Sequence, residues 1–379
     1  MYTLQNSINW ALNYVNYSPL SAGFGFEPAI SVASMIRNSI LNAPQTWAWN
    51  RAEDSSLTTV AGTQDYTVDI TNFGFLEKCS MQAATTITNV VGNGTTATLT
   101  TSAPFLVNVG DTVAVSGLSH TAFNGTFKIT AVTSTTFSFL SSTSQSSASD
   151  TGSAVGGEIF ELKEVLNTAA LGVASFQQQP HAVAVLLSTI GTSVKIRFMG
   201  VPNTAYAVTL TYQIASPQFG PFTVTSVANH VSADTTYTGV FSPLSFPAGG
   251  TATIIGCTTP ANNGSFAIVS CNATSLVVAN GSGSAESETS AYALNLSWSP
   301  IPDQYSDVYN NLFLSEAFSD TDDARAQMYR QRGVAAFLSK FEGLTQAQKN
   351  AFVQQWLSRS VENAAALLQL QQGVQARGI

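Results

Sequence analysis

The residues best able to do chemistry are few and scattered. Three histidines, His120, His181 and His230, lie far apart with no metal-ligand spacing. Cys79, Cys257 and Cys271 are odd in number and show no CxxC pattern, which argues against a zinc site or disulfide framework. Cys257 and Cys271 could meet across neighbouring strands; the simpler expectation is three buried, small apolar residues. Asp65, Asp69, Glu158 and Glu161 are the acids that could pair as glycosidase carboxylates, but their context fits a solvated strand face equally. Asp320, Asp322 and Asp323 lack the sixth-position Gly and terminal Glu of a calcium loop, so helix capping is expected there instead. There is no Gly-rich phosphate loop ending in Lys-Ser/Thr and no GxSxG elbow. The expectation is a protein that is not an enzyme, with no cofactor and no metal.

Composition narrows the partners. Apolar residues make up 44% of the 379, enough for a large core, while only 9% are charged against the usual ~25%. Ser, Thr, Gly, Ala, Asn and Gln fill the difference. Such a surface is easily buried against partners, because it brings few charges to desolvate. The net charge of −8 opposes phosphate-neutralising DNA binding and basic membrane attachment. An acidic wall that DNA slides past is compatible with it. The N-terminus shows no basic start before an apolar core, and no apolar run approaches the ~20 residues of a membrane span. No membrane role is expected.

The elements that must position these residues begin with helices. Leu4, Ile8, Ala11, Leu12 and Val15 recur at helical spacing in 3–17, and a second stripe runs from Pro28 through Leu41. The run 44–52, PQTWAWNRA, places Trp47 and Trp49 two apart, on one face of an extended segment. The spacing predicts a β-hairpin over 57–70 turning at Ala61-Gly62, and strands over 75–82, 159–166, 182–189, 193–200, 206–214 and 292–298. After the prolines of WSPIPDQY, Asp303 or Ser306 can cap a helix over 304–318. Ser319 with Asp322 and Thr345 with Gln348 have capping-box spacing. Ala324, Met328, Ala335, Leu338 and Phe341 form the expected core stripe of the next helix. Ala351, Phe352, Trp356 and Val361 continue a third.

Between these lie two segments nearly free of charge. Gly110, Thr112, Gly117, Asn124, Gly125, Phe127 and Ile129 match Gly249, Thr251, Gly256, Asn263, Gly264, Phe266 and Ile268 at a constant offset of 139 positions (249 minus 110). This is an internal duplication. Asn124-Gly125 and Asn263-Gly264 are expected to make tight turns, with Phe127, Ile129 and Ala131 on one strand face. The organisation expected is a discontinuous host domain, 1–84 with 158–221 and 293–379, interrupted by β modules at 85–157 and 222–292. The expected fold class is α+β: a helical bundle from the N- and C-terminal helices, an antiparallel β-sheet or barrel domain, and two duplicated all-β inserts.

The host segments resemble the head-to-tail adaptors of tailed bacteriophages, of the tail tubular protein A type. The resemblance rests on the N-terminal helical pair, the WAWNRA run into GTQDY, and PDQYSDVYNNLFLSEAF with DDARAQMYRQRGVAAF, whose helix bears Arg325 and Tyr329. The inserts are similar to Ig-like or β-sandwich decorations of virion proteins. The resemblance implies a structural protein of the virion neck, assembled in the host cytoplasm. It implies a homo-oligomeric ring of about twelve copies with heterologous contacts. The implied partners are a portal protein, a tail nozzle or tube protein, and tail fibres through the inserts, with DNA only as passing cargo. The interface candidates that follow are Trp47, Trp49, Arg51, Asp303, Tyr305, Arg325 and Tyr329. The competing class is a tail-fibre or surface glycan-binding module, against which stands the lack of Trp in either insert.

Overall fold

In the computed structural model the described residues are 3–12, 29–42, 45–165, 177–189, 193–297, 301–320, 324–340 and 344–357. They form two compact units, 47–215 and 1–46 with 216–379. Strands hold 45% of the structure and helices 24%. The expectation of an α+β chain built on a helical bundle is therefore overturned: the described residues are mostly β, with two closed six-stranded barrels and five short helices among them. Helix signals are dense and local, so a few short segments outweighed a long, dispersed strand pattern.

The unit 47–215 contains β1 (Arg51–Asp54), β2 (Asp65–Val68), β3 (Phe73–Asn93), β4 (Thr96–Thr101), β5 (Thr112–Ser116), β6 (Gly125–Val132) and β7 (Thr136–Leu140). It continues with β8 (Ser144–Glu164), β9 (Gln177–Gln178), β10 (Ala182–Thr189), β11 (Ser193–Met199), β12 (Val201–Pro202) and β13 (Tyr206–Ile214). β3 and β8 are each 21 residues long and pair antiparallel from Cys79↔Leu162 to Asn93↔Ser144. Their near halves lie in a sheet ordered β1-β13-β3-β8-β10-β11-β2, and their far halves belong to a barrel ordered β3-β4-β7-β6-β5-β8 that the β3–β8 ladder closes. Positions 84/85 and 157/158 thus fall inside unbroken strands. The sheet packs over Phe73, Cys79, Val183, Ile196, Phe198, Val208 and Leu210, the barrel over Leu99, Val113, Phe123, Ile129, Phe137 and Phe139.

The expected 57–70 hairpin is also corrected. The turn at Ala61-Gly62 forms, but Thr58 bridges Ala207, whereas β2 pairs with β11. Tyr66 explains the turn: its hydroxyl donates to the carbonyls of Val60 and Thr63 and accepts from the Val60 N–H.

The other unit contains α1 (Leu4–Leu12), α2 (Ala29–Leu41), β14 (Phe222–Val227), β15 (Thr235–Gly239), β16 (Thr251–Ile255), β17 (Gly264–Cys271), β18 (Ser275–Val278) and β19 (Glu286–Leu294). It ends with α3 (Ser306–Asp320), α4 (Arg325–Lys340) and α5 (Gln346–Leu357). The second barrel closes in the order β14-β15-β18-β17-β16-β19, the order of the first strand for strand. Residues 292–294 of the segment expected in the host sheet instead form the end of β19, which pairs with β14 and β16. Neither barrel is the open Ig-like sandwich expected, since no sheet edge is left within it.

The barrels repeat details as well as order. The Asn-Gly pairs are not two-residue hairpin turns. Asn124 is extended (φ −81°, ψ 135°), and its amide accepts from the Leu118 N–H at 3.0 Å and donates to the Leu118 carbonyl at 2.9 Å. Asn263 does the same with Cys257 at 2.9 and 2.8 Å. Gly125 and Gly264 both have φ +145°, a conformation that side chains avoid. Ala131 is exposed, off the expected face, because a bulge follows Ile129; β17 carries the same bulge after Ile268.

α1, α2 and α4 pack against α3, whose Val308, Tyr309, Leu312, Phe313, Leu314, Ala317 and Phe318 are all buried. Ser7 of α1 donates to Asn310 at 2.9 Å and the Tyr309 hydroxyl to the Ala33 carbonyl of α2 at 3.2 Å. α4 turns a different face inward from the stripe expected. Arg330, Gly333, Val334 and Phe337 are buried, while Ala324, Met328 and Ala335 are exposed. Gly333 sets this face, because a Cβ there would meet the Leu312 side chain at 2.7 Å and its backbone nitrogen at 3.2 Å. α5 begins with the expected capping box, the Gln348 N–H donating to Thr345 Oγ1 at 3.3 Å and the Thr345 N–H to Gln348 Oε1 at 2.8 Å. The Ser319–Asp322 box, Val15, Phe341 and Val361 involve positions outside the described residues. Among the described residues no helix is long and apolar enough to cross a membrane.

The shared asparagine clamp gives a direct test. Asn263→Ala removes the bonds to Cys257 and one to Thr259, and should lower stability by about 1–3 kcal/mol in denaturant melts.

Candidate functional site

The first candidate surface is built on three neighbouring strands. Arg51 on β1 stands opposite Gln213 on β13, and β13 runs beside β3, which carries Glu77. Gln213 is fully buried, and its amide reads the backbone of Trp47 both ways: the Trp47 N–H donates to Oε1 at 3.1 Å and Nε2 donates to the Trp47 carbonyl at 3.3 Å. Gln213 Nε2 also donates to Glu77 at 2.7 Å, and Arg51 clasps the same carboxylate with Nε at 2.9 Å and a second, shorter bond from Nη2. Burial raises the Glu77 carboxyl, but hydrogen bonds from Arg51 and Gln213 outweigh it and hold the group below its ordinary range. The hydrogen bond to Glu77 raises Arg51 in turn.

This network fixes a corner of the chain. Residues 48–50 form a single tight turn rather than the extended segment expected, with Asn50 Nδ2 donating to the Ile214 carbonyl at 3.0 Å. The two indoles still stack, with centroids 6.0 Å apart and planes 16° from parallel. Trp47 is buried and Trp49 is 36% exposed. Arg51 therefore holds the corner through Glu77, and Trp49 is the side chain the corner presents.

The second surface lies on the other unit. Arg325 sits 4.3 Å from the Phe318 ring centroid, Phe318 stacks on Tyr329 at 5.3 Å, and Arg332 lies 5.3 Å over Tyr329. Two guanidinium groups thus flank an aromatic pair at the α3–α4 seam, a favourable use of ring quadrupoles. Arg330 beneath it is buried and donates to Glu316 at 3.1 Å and Ser319 at 3.0 Å. Asp303 and Tyr305 lie in a tight turn that leads into α3, at the opposite end of the helix pair, where Lys340 of α4 bonds Asp307 at 2.6 Å. The turn begins after Pro302, and Ser306, the other expected cap, is already helical (φ −58°, ψ −28°) and is the first residue of α3.

Two of the other candidate acids have structural partners. Asp65 forms a bidentate pair with Arg197 at 2.5 and 2.7 Å, and that hydrogen bonding lowers its pKa. Glu161 pairs with Lys78 at 2.5 Å, while Asp69 and Glu158 are exposed. His230 Nδ1 lies 3.0 Å from the Gly283 carbonyl, and His181 is exposed.

Sequence reasoning passed over the inserts' own acids. Asp150 accepts the backbone N–H groups of His120 at 2.9 Å and Ser119 at 3.0 Å, and lies 2.6 Å from His120 Nδ1. Those bonds, the His120 N–H first, hold its carboxyl far below the usual range. In the second barrel the matching amides of Thr258 and Thr259 donate to Glu288 at 2.8 Å and Glu286 at 2.7 Å. Cys257 joins this pair, with one ligand atom of each of the three residues within 4.8 Å of the others. The signal available was the acids' rarity: both segments keep one or two near their C-terminal ends. All three cysteines are free, Cys79 and Cys257 buried and Cys271 half-buried.

No family model, no curated protein and no solved structure matches this chain.

The Glu77 network makes a pH prediction. A depressed carboxyl contributes stability that is fully present above its ordinary value of 4.5 and is lost as pH falls through the lower folded value. Glu77→Gln should therefore show a stability deficit in urea melts at neutral pH that shrinks on acidification. A deficit independent of pH would contradict the network.

Proposed function

We propose that this chain is a non-catalytic structural subunit of a virion neck, a head-to-tail adaptor whose copies close into a ring between portal and tail, with DNA as passing cargo. The observation that carries the reading is the Trp47–Trp49 corner. An indole 36% exposed is held by a stacked neighbour and by the Gln213–Glu77–Arg51 network, so little freedom remains to be lost on docking. Fixed Trp and Arg side chains are the residues that dominate protein contacts. A ring of identical copies needs two different patches that fit one another. The corner supplies one chemistry, an indole beside a neutralised ion pair. The α4 face supplies the other, with Arg325 and Arg332 flanking an aromatic pair. The net charge of −8 suits a passage that does not retain DNA. The motif resemblance in 47–66 and 302–337 supports the same reading, which does not depend on the discarded helical bundle.

The purified full chain, alone and with a portal protein, should appear as rings by native mass measurement and electron microscopy. Trp49→Ala should weaken subunit association by about 2 kcal/mol or more while leaving the thermal melt of the free subunit unchanged. A chain that stays monomeric at high concentration and ignores the portal would overturn the proposal.

A further inference from the structure

The two barrels share a strand order, yet one end of the second is made of different chemistry. In the first barrel Leu118 and Phe123 fill that end and are 3% and 0% exposed. The residues at the matching positions are Cys257 and Asn262, 8% and 0% exposed. Leu99, which pairs with Phe137 in the first barrel, is replaced by Tyr237, which pairs with Leu276. A single carboxylate, Asp150, serves two backbone amides in the first barrel; the second uses Glu286 and Glu288 for the same two. The first barrel shows that the fold needs neither the second carboxylate nor the thiol. Burying such groups costs free energy that a Leu and a Phe would not.

The arrangement is ordered as a ligand set would be. Glu286 and Glu288 alternate along β19 and share one face of the strand. Each is oriented from behind, Glu288 by the Thr258 N–H, and Glu286 by the Thr259 N–H and Asn262 Nδ2. Asn262 is itself fixed by the Ser284 carbonyl at 2.9 Å and the Ser284 N–H at 3.0 Å. Cys257 is over nine-tenths buried, has no hydrogen-bond partner for its sulfur among the described residues, and points that sulfur at both carboxylates within 4.8 Å.

We propose that Cys257, Glu286 and Glu288 bind a divalent transition-metal ion of the zinc class at the end of the second barrel. One sulfur and two carboxylate oxygens suit Zn²⁺, whereas purely hard ions such as Ca²⁺ and Mg²⁺ avoid sulfur. The hydrogen bonds behind the carboxylates act as the outer supports that metal ligands require. The ion binds by displacing the thiol proton. A bound ion would tie the 257–259 loop to β19 and stabilise the barrel by mass action, independently of any role in assembly.

The test uses the full chain, stripped with chelator and titrated with Co²⁺ as a spectroscopic probe, then with Zn²⁺ as competitor. Stoichiometric Co²⁺ uptake with a thiolate-to-metal charge-transfer band, displaced by Zn²⁺, is expected. Cys257→Ser should abolish the band, Glu288→Gln should weaken binding by about tenfold or more, and Cys271→Ser should leave both unchanged. Because a variant can fail to fold, the wild-type titration decides by itself. No stoichiometric uptake by the wild-type chain would overturn the proposal, as would a band that survives Cys257→Ser.

Discussion

The pairing of β3 with β8 is the constraint on which the 47–215 unit rests. Each strand is 21 residues long, and the ladder between them runs from the sheet into the barrel without a break. Remove it and the sheet loses its centre, while the barrel reopens into a strip with two exposed edges. Register shifts at Met81/Ala83, Ile87/Asn89 and Val90/Gly92 let the same two strands bend from one into the other. The inserted module is therefore an extension of the host strands, in register with them, and its orientation is set by backbone hydrogen bonds.

A chain with so little charge uses what it has with care. Asp65, Glu77, Asp150, Glu286 and Glu288 each satisfy a guanidinium, a buried amide or a backbone N–H that would otherwise lie unpaired. Structural employment of the carboxylates leaves a surface of hydroxyls and amides, with Trp49 and the Arg325 and Arg332 guanidinium groups at the α3–α4 seam among its features. That division is the physical basis for reading assembly into the molecule.

Much of this was legible in the residues, and the misses have physical causes. The duplicated glycines announced themselves because Gly117, Gly125, Gly256 and Gly264 hold positive φ, which few residues replace. The Thr345–Gln348 cap was legible because capping is local. Barrel closure was not: β8 reads SQSSASDTGSAVGGEIFELKE, whose inward positions include Gly and Ala rather than large apolar residues, so no alternation shows. The inward face of α4 was misjudged because Gly333, which decides it by close approach to Leu312, carries no hydrophobic signal. At the interface candidates the sequence showed which residues gather at 47–51, but not that Arg51 is held by Glu77, 26 residues away. The Cys257 cluster escaped because strand pairing, not spacing, brings its members together.

Native-state hydrogen exchange on the Ala83–Asn93 amides tests the continuity of the β3–β8 ladder most directly. If the ladder couples sheet and barrel as one cooperative body, these amides and the buried amides of β10, β11 and β13 should exchange with the same opening free energy and the same denaturant dependence. A barrel that opens at markedly lower free energy while the sheet stays protected would contradict the account.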